Sequence, residues 1–196
     1  MARPREFDEN LVLEAVVQCF WNKGYEATSI KDLVDGTGIT AASLYNAFGD
    51  KRNIFRIALA HYSDHGVAER IQRCGKLAPR EAIEAFFRDI VDRSLADPHH
   101  KGCLLVNSAL EVAPHDPQFK EAITVVLRRI EEFFLACVKA GQASGSITRS
   151  QPARKLAQHL LAVLMGVRVL ARVRPERALL RGVVEPALAL LRTNAA

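Results

Sequence analysis

Two groups of residues in this 196-residue chain could do chemistry. The first is Thr40, Ala41, Ala42 and Ser43, followed by Tyr45, Asn46 and Lys51. Four small residues at the start of a short helix let the backbone approach base edges and set methyl groups against thymine. Asn46 lies one turn further along the same side, and an amide there can bond adenine with both of its ends. The hydroxyls of Thr28 and Tyr45 and the ammonium of Lys51 suit phosphates, assisted by helix N-termini opening at Ser29 and Thr40. The simpler expectation at each position stands beside this one. Leu44 and Phe48 are core residues, Ala41 and Ala42 are also good helix formers, and Asn46 is either a base reader or a solvated surface residue.

The second group centres on Cys103, in Gly102-Cys103-Leu104-Leu105-Val106-Asn107, with His99, His100 and Lys101 just upstream. A helix N-terminus and nearby cations stabilise a thiolate, which is how a cysteine becomes reactive. The competing expectation is a small buried hydrophobe, as free cysteines usually are. His61 and His65 share one helix face at the i, i+4 spacing that can chelate a metal. No carboxylate or cysteine partner is fixed by the sequence, so they are expected to snorkel to solvent or line a pocket, and neither metal nor cofactor is expected. There is no G-x-S-x-G, no Gly-rich phosphate loop and no H-E-x-x-H, so no enzyme is expected.

These residues need elements to hold them, and every periodic segment is helical. Leu11, Val12, Ala15, Val16, Cys19 and Phe20 predict a helix over 7–23, stopped at Gly24. Thr28 and Ser29 offer caps for a helix over 29–36, with Gly36-Thr37-Gly38 as its break. Thr40 caps a helix over 40–47, and Gly49-Asp50 turns the chain into a longer one over 51–73. Further helices are predicted from Pro79 to 96, over 103–112, from Pro117 to 141, and from Pro152 and Pro175 onward. Residues 141–150 read as a Gly/Ser-rich connector. Glycine is sparse, aromatics make up 7% and no strand pattern appears, so the fold class is all-α.

Charge alone does not point to nucleic acid. The net charge is +5, but residues 1–66 hold seven Lys+Arg against nine Asp+Glu, so the basic excess lies beyond the segment with the candidate contacts. Local placement must carry the argument. The longest apolar run, Leu160 to Val167, falls far short of the roughly 20 residues of a spanning helix, so no membrane partner is expected. Basic residues near the start are not followed by an apolar segment of signal-peptide type. Four dispersed cysteines, Cys19, Cys74, Cys103 and Cys137, form no C-x-x-C pair, which suits a reducing, cytoplasmic setting.

Two short helices joined by a Gly-containing turn, with a third in front, make a helix-turn-helix. Gly24-Tyr25-Glu26-Ala27-Thr28-Ser29-Ile30, Gly38-Ile39-Thr40 and Leu44-Tyr45-Asn46-Ala47-Phe48-Gly49-Asp50-Lys51 together resemble the TetR family of transcriptional regulators. The resemblance covers about residues 5–66. It implies a nine-helix homodimer: a DNA-binding head over 1–50, and a ligand-binding and dimerisation body over 51–196 reached through the 51–73 helix. The family usually has alanines where Gly36 and Thr37 stand, so a shorter or looser second helix is expected.

The same resemblance implies double-stranded DNA with a palindromic operator as partner and a small-molecule inducer. The inducer cavity is expected to be lined by Phe86, Phe87, Cys103, Val106, Asn107, Ile130, Phe133 and Phe134. Stripes along Leu156, Leu160, Val163, Leu164 and Val167, and along Leu180, Val183, Val184, Ala187, Leu188 and Leu191, suit either intrachain core or a partner, and the resemblance implies pairing them across a two-fold axis through the last two helices. The Gly-Cys pair at 102–103 is similar to that of a TetR subgroup in which some members sense electrophiles or oxidants. The alternative function is a small-molecule or thiol sensor that does not act through DNA.

Overall fold

The computed structural model describes residues 7–193, and the regular elements among them are all helical. The basic residues Arg3 and Arg5 lie outside the described residues. Helix α1 spans Glu9–Lys23 and is capped by Asp8, whose carboxylate accepts the Asn10 and Leu11 N–H groups. Helix α2, Ile30–Thr37, opens on a reciprocal capping box between Ser29 and Asp32. Lys23 reaches the Asp32 carboxylate at 2.6 Å. That bond, with those from Ser29, holds the carboxyl far below the usual range.

Helix α2 does not break at Gly36 but runs on to Gly38, whose left-handed backbone (φ 73°) ends it. Gly36 serves packing instead, because a Cβ there would overlap the Cys19 sulfur on α1. Helix α3, Ala41–Phe48, is capped by Thr40. Helix α4, Lys51–Tyr62, is capped by Asp50. These four helices share a core built on Val16, Phe20, Leu33, Leu44, Ile54 and Phe55. That core takes in Ala58 and Leu59 as well, so the head's packing extends well past position 50.

Helix α4 continues through a π-helical segment, Ser63–Ala68, into α5, Glu69–Cys74. The 51–73 rod expected from the sequence is therefore continuous but carries a wide turn at its middle, a feature often found at functional sites. Helices α6 (Pro79–Ala96), α8 (Pro117–Ser144), α9 (Ala153–Val173) and α10 (Arg177–Ala189) form the body. Short α7, Leu104–Glu111, bridges head and body: Leu104 joins the head core, while Leu105 and Val106 pack with Ile123 of α8.

Helix α8 outruns its expected end at 141, and the stop is Gly145, with φ 78°. Gly141 is buried where a Cβ would stand 2.5 Å from Ile147, so it is an interior contact rather than a terminus.

Two expectations for the terminal helices are corrected here. Leu156, Leu160, Leu164, Val167, Leu180, Val184, Ala187 and Leu191 are buried inside their own chain, against α6 and α8. Those eight positions are buried without a partner, while Val163, Val183 and Leu188, the other members of the stripes, are half-buried. The other concerns length. Helix α9, with 21 residues, is long and apolar enough to cross a membrane by length and composition. The sequence estimate missed this because Arg168 interrupts the apolar run; in the fold α9 packs against α6, α7, α8 and α10.

Candidate nucleic-acid interface and the cavity behind it

The turn between α2 and α3 is set by Gly38 and Thr40. The Gly38 N–H donates to Val34 O at 2.9 Å, and the Thr40 hydroxyl accepts the Ser43 N–H at 3.2 Å. Leu44 and Phe48 anchor one side of α3, at 0% and 2% exposure. The opposite side therefore faces out. Thr40, Ala42, Tyr45 and Asn46 are exposed, and Ala41 and Ser43 are half-buried. Neutral, small and amide groups thus form one open surface, as direct base contact in a major groove requires.

Not every candidate faces that surface. Thr28 is fully buried, and its hydroxyl donates to Gly24 O at 2.5 Å. It fastens the turn between α1 and α2 and cannot reach a phosphate; Ser29, beside it, is exposed as the cap of α2. Lys51 donates to Glu26 O at 3.2 Å and lies 4.6 Å from the centre of the Tyr25 ring. It braces the same turn while leaving N–H donors for an anion.

The head is tied to the body by several polar contacts. Arg52 grips Asp116, the cap of α8, through two bonds of 2.8 and 3.0 Å. This holds the Asp116 carboxyl below its ordinary value. Glu111, at the end of α7, accepts the N–H groups of Tyr25 and Glu26. Gly24 allows that approach, since a Cβ would stand 2.8 Å from the Glu111 carboxylate. Nothing in the sequence marks Glu111, because its partners are backbone groups some 85 residues away.

Behind the head lies a cavity of about 760 Å³, a volume suited to a small organic ligand. Its walls come from α1 (Leu11, Trp21), the α4–π–α5 rod (His61, Tyr62, Val67), α6 (Phe86, Ser94), α7 (Leu105, Val106), α8 (Ile130) and α9 (Leu164, Arg168). Of the expected lining, Phe86, Cys103, Val106 and Ile130 face it. The others do not. Phe87 and Phe134 are fully buried and stack on each other at 5.6 Å, and Phe133 packs with them. They point away because neighbouring positions on a helix differ by about 100°. The Asn107 amide donates to Lys101 O at 3.0 Å and pins the loop before α7. His61 and His65 stack at 4.1 Å near the cavity's mouth, and among the described residues no third donor joins them into a metal-binding group.

Cys103 forms the cap position of α7 and is 8% exposed. The Tyr62 hydroxyl donates to its sulfur at 3.5 Å, and the Arg168 guanidinium donates to that hydroxyl at 3.4 Å. Burial alone would raise the thiol's pKa, but Arg168 and Tyr62 outweigh it and lower it. The other three cysteines move the opposite way: burial raises Cys19 and Cys74, and pushes Cys137 up to about 11. Gly102 lets this loop seat on α9, with φ 73° and a Cβ position 3.2 Å from Arg172. The sequence did carry a signal for Arg168, a lone cation four residues after Leu164 on an otherwise apolar stripe.

An all-helical chain with a helix-turn-helix head, an open recognition face and a cavity behind it has the build of a ligand-linked DNA-binding regulator. Residues 12–57 match the family model for bacterial regulatory proteins of the tetR family. Residues 79–185 match the tetracyclin repressor-like C-terminal domain. An uncharacterised HTH-type transcriptional regulator of Bacillus subtilis, YezE, is 35% identical over 87% of this chain and 91% of its own. The HTH-type transcriptional repressor ComR of Escherichia coli is 29% identical over 87% and 82%. A cysteine mutant of the TetR family regulator CifR, solved with 26-bp double-strand operator DNA, superposes with a TM-score of 0.85 at 33% identity, covering 95% of this chain and 98% of that one. The chain belongs to the TetR family of transcriptional regulators, and it is a DNA-binding regulator rather than an enzyme.

Proposed function

We propose that this protein is a homodimeric repressor that binds a palindromic operator and is released when its cavity is occupied or Cys103 is modified. The head, residues 1–50 with the first half of α4, contacts DNA; the remainder binds the effector and the second subunit. Ala41, Ala42, Ser43 and Asn46 read bases, while Ser29, Thr40, Tyr45 and Lys51 hold phosphates. The observation that carries this reading is the exposed, uncharged α3 face presented by a fully buried Leu44. That CifR was solved with operator DNA supports it.

Dimerisation is assigned to the outward faces of α9 and α10. On α9, His159, Ala162, Gly166, Val169 and Val173 recur at helical spacing; all but half-buried Gly166 are exposed. On α10, Ala178, Gly182, Pro186 and Ala189 do the same. Positions that an added Cβ would leave in open space, at Gly166 and Gly182, allow close helix approach in a four-helix contact. TetR-family regulators act in general as soluble cytoplasmic proteins, and this one is proposed to do so too.

Release follows from the cavity's walls. They include α1 of the head and the π-helical turn of the rod that starts at Lys51. A ligand that prefers a tilted rod shifts the spacing of the two recognition helices away from successive major grooves. A gel shift with the DNA upstream of the protein's own gene tests the reading. Retention of that fragment over random DNA supports it. Equal retention of both would leave the alternative, a sensor that does not act through DNA.

A further inference from the structure

The cavity wall carries a buried positive charge that no carboxylate among the described residues pairs with. Arg168 is 8% exposed and lines the cavity wall. Its guanidinium donates to the Ser94 hydroxyl at 3.0 Å and to the Tyr62 hydroxyl at 3.4 Å, and it also meets the Cys103 thiol; no carboxylate is among these partners. Among the described residues no carboxylate lies within ion-pairing distance of it. The other cations around the cavity are provided for. Arg70 and Arg93 share Asp89, and Lys101 faces Asp97 while bonding Gln18. A desolvated guanidinium carries a heavy penalty unless a paired anion offsets it. A fork of five N–H donors that meets two hydroxyls and a thiol has room for a planar, two-oxygen acceptor.

A second, independent observation comes from α1. The indole N–H of Trp21, on α1, is buried without an acceptor, and Trp21 lines the same cavity. Buried donors are rarely left unpaired, and an orphan in a binding site is commonly met by a ligand or water. Trp21 packs edge-on against Tyr62 at 5.0 Å between ring centres, so both donors flank one tyrosine. Phe86, Ile130 and Leu164 supply apolar wall, while Glu14, His61, His65, Asp97 and Lys101 make other parts of the lining polar.

We infer that the effector is an organic carboxylate: its anionic head seats on Arg168, with the Tyr62 and Ser94 hydroxyls beside it, its apolar body fills the cavity, and a further acceptor meets Trp21. This deepens the proposed function and rests on it, because it names the chemistry of the molecule that occupies the cavity. It also explains how occupancy is felt by the head. Trp21 belongs to α1, so a ligand spanning Arg168 and Trp21 ties α9 of the body to the DNA-binding unit.

The test uses the full chain and its one tryptophan, Trp21, as the reporter. Benzoate, cinnamate and octanoate are titrated against the matched amides, following Trp21 fluorescence. The expected result is saturation by at least one carboxylate, with its amide weaker by about tenfold or more, the loss of one charge-assisted contact. Arg168→Gln should abolish the discrimination and Arg168→Lys should retain much of it; the lysine variant keeps the charge if the glutamine variant does not fold. The inference is overturned if no carboxylate saturates the signal by about 10 mM. It is overturned equally if the amides bind as well as the acids, or if Arg168→Gln discriminates like the parent. Silence towards all three carboxylates in the parent would point to the Cys103 thiolate as the standing counter-ion of Arg168. Operator retention without any acid, measured on the same preparations, reports on DNA binding alone, so failure of either reading is seen separately.

Discussion

The carboxylate of Glu111 accepts the backbone N–H of Tyr25 at 3.2 Å, fastening the last turn of α7 to the loop that enters the helix-turn-helix. The same carboxylate takes the Glu26 N–H at 3.0 Å. At the other end of this eight-residue helix stands Cys103, in the cavity. Helix α7 thus runs from the effector site to the head, alongside the α4 rod, and a displacement at Cys103 has a short rigid path to the α1–α2 turn. Replacing Glu111 by Ala leaves two N–H groups without their acceptor. The loss should be about 1–3 kcal/mol for charge-assisted bonds of this kind. The expected outcome is a lower melting temperature and weaker operator binding, with Glu111→Gln intermediate. Wild-type stability and affinity in the alanine variant would remove α7 from the coupling.

Asn46 and Lys51 should fail in different ways. Asn46→Ala removes an exposed amide that supports nothing in the fold, so its effect should fall on one base position, at about 1–3 kcal/mol. Lys51→Ala should weaken binding to all sequences and lower the salt slope by about one unit. Because Lys51 also braces Glu26 and Tyr25, its replacement should in addition lower the stability of the head slightly. Competition binding with single-base operator variants at several salt concentrations separates the two. Equal losses on operator and random DNA for Asn46→Ala would show that it does not read a base.

Cys103 should titrate first among the four cysteines. Its thiol is lowered, so its thiolate appears at lower pH than that of an ordinary cysteine; Cys137, raised to about 11, should ionise last. Iodoacetamide reacts with the thiolate, which displaces iodide and forms a carbon–sulfur bond. Labelling followed by mass spectrometry across pH should give Cys103 the lowest midpoint. Arg168→Gln should move that midpoint up, since the guanidinium outweighs burial only while it is present. Labelling of Cys137 as early as Cys103 would show that burial controls reactivity here and Arg168 does not.

Local signals were legible in the sequence and long-range ones were not. The caps at Ser29 and Thr40, the turn at Gly49-Asp50 and the apolar spacing of Leu44 and Phe48 are properties of a few adjacent residues, and they placed the recognition face. The cavity depends on which side of each helix faces inward. Adjacent Phe86 and Phe87 read alike in sequence, yet one lines the cavity and the other stacks on Phe134. The stripes on α9 and α10 could equally have met a partner or the chain's own core. Only the packing of α6 and α8 against them decides. Thr28 misled because a hydroxyl at a helix start suits a phosphate and a backbone carbonyl equally well.

Gly36 and Cys19 give the sharpest test of how the head is packed. Gly36 lies within α2 and its backbone is helical, so alanine there should gain about 0.5–1 kcal/mol from helix propensity alone. The Cys19 sulfur, however, occupies the space that the new methyl group needs, and it lies 3.6 Å from Asp32 O as a weak donor. Overpacking of this kind typically destabilises by about 1–3 kcal/mol, which exceeds the propensity gain. Gly36→Ala should therefore destabilise the head and push α2 outward, weakening operator binding through the altered angle of α3. In a Cys19→Ala background the obstruction is gone, and the same Gly36→Ala change should become stabilising. Urea denaturation of the parent, both single variants and the double variant measures this reversal as a coupling energy between the two sites. If Gly36→Ala has the same sign in both backgrounds, the sulfur is not what excludes a side chain at position 36, and the glycine must answer to some other constraint on α2.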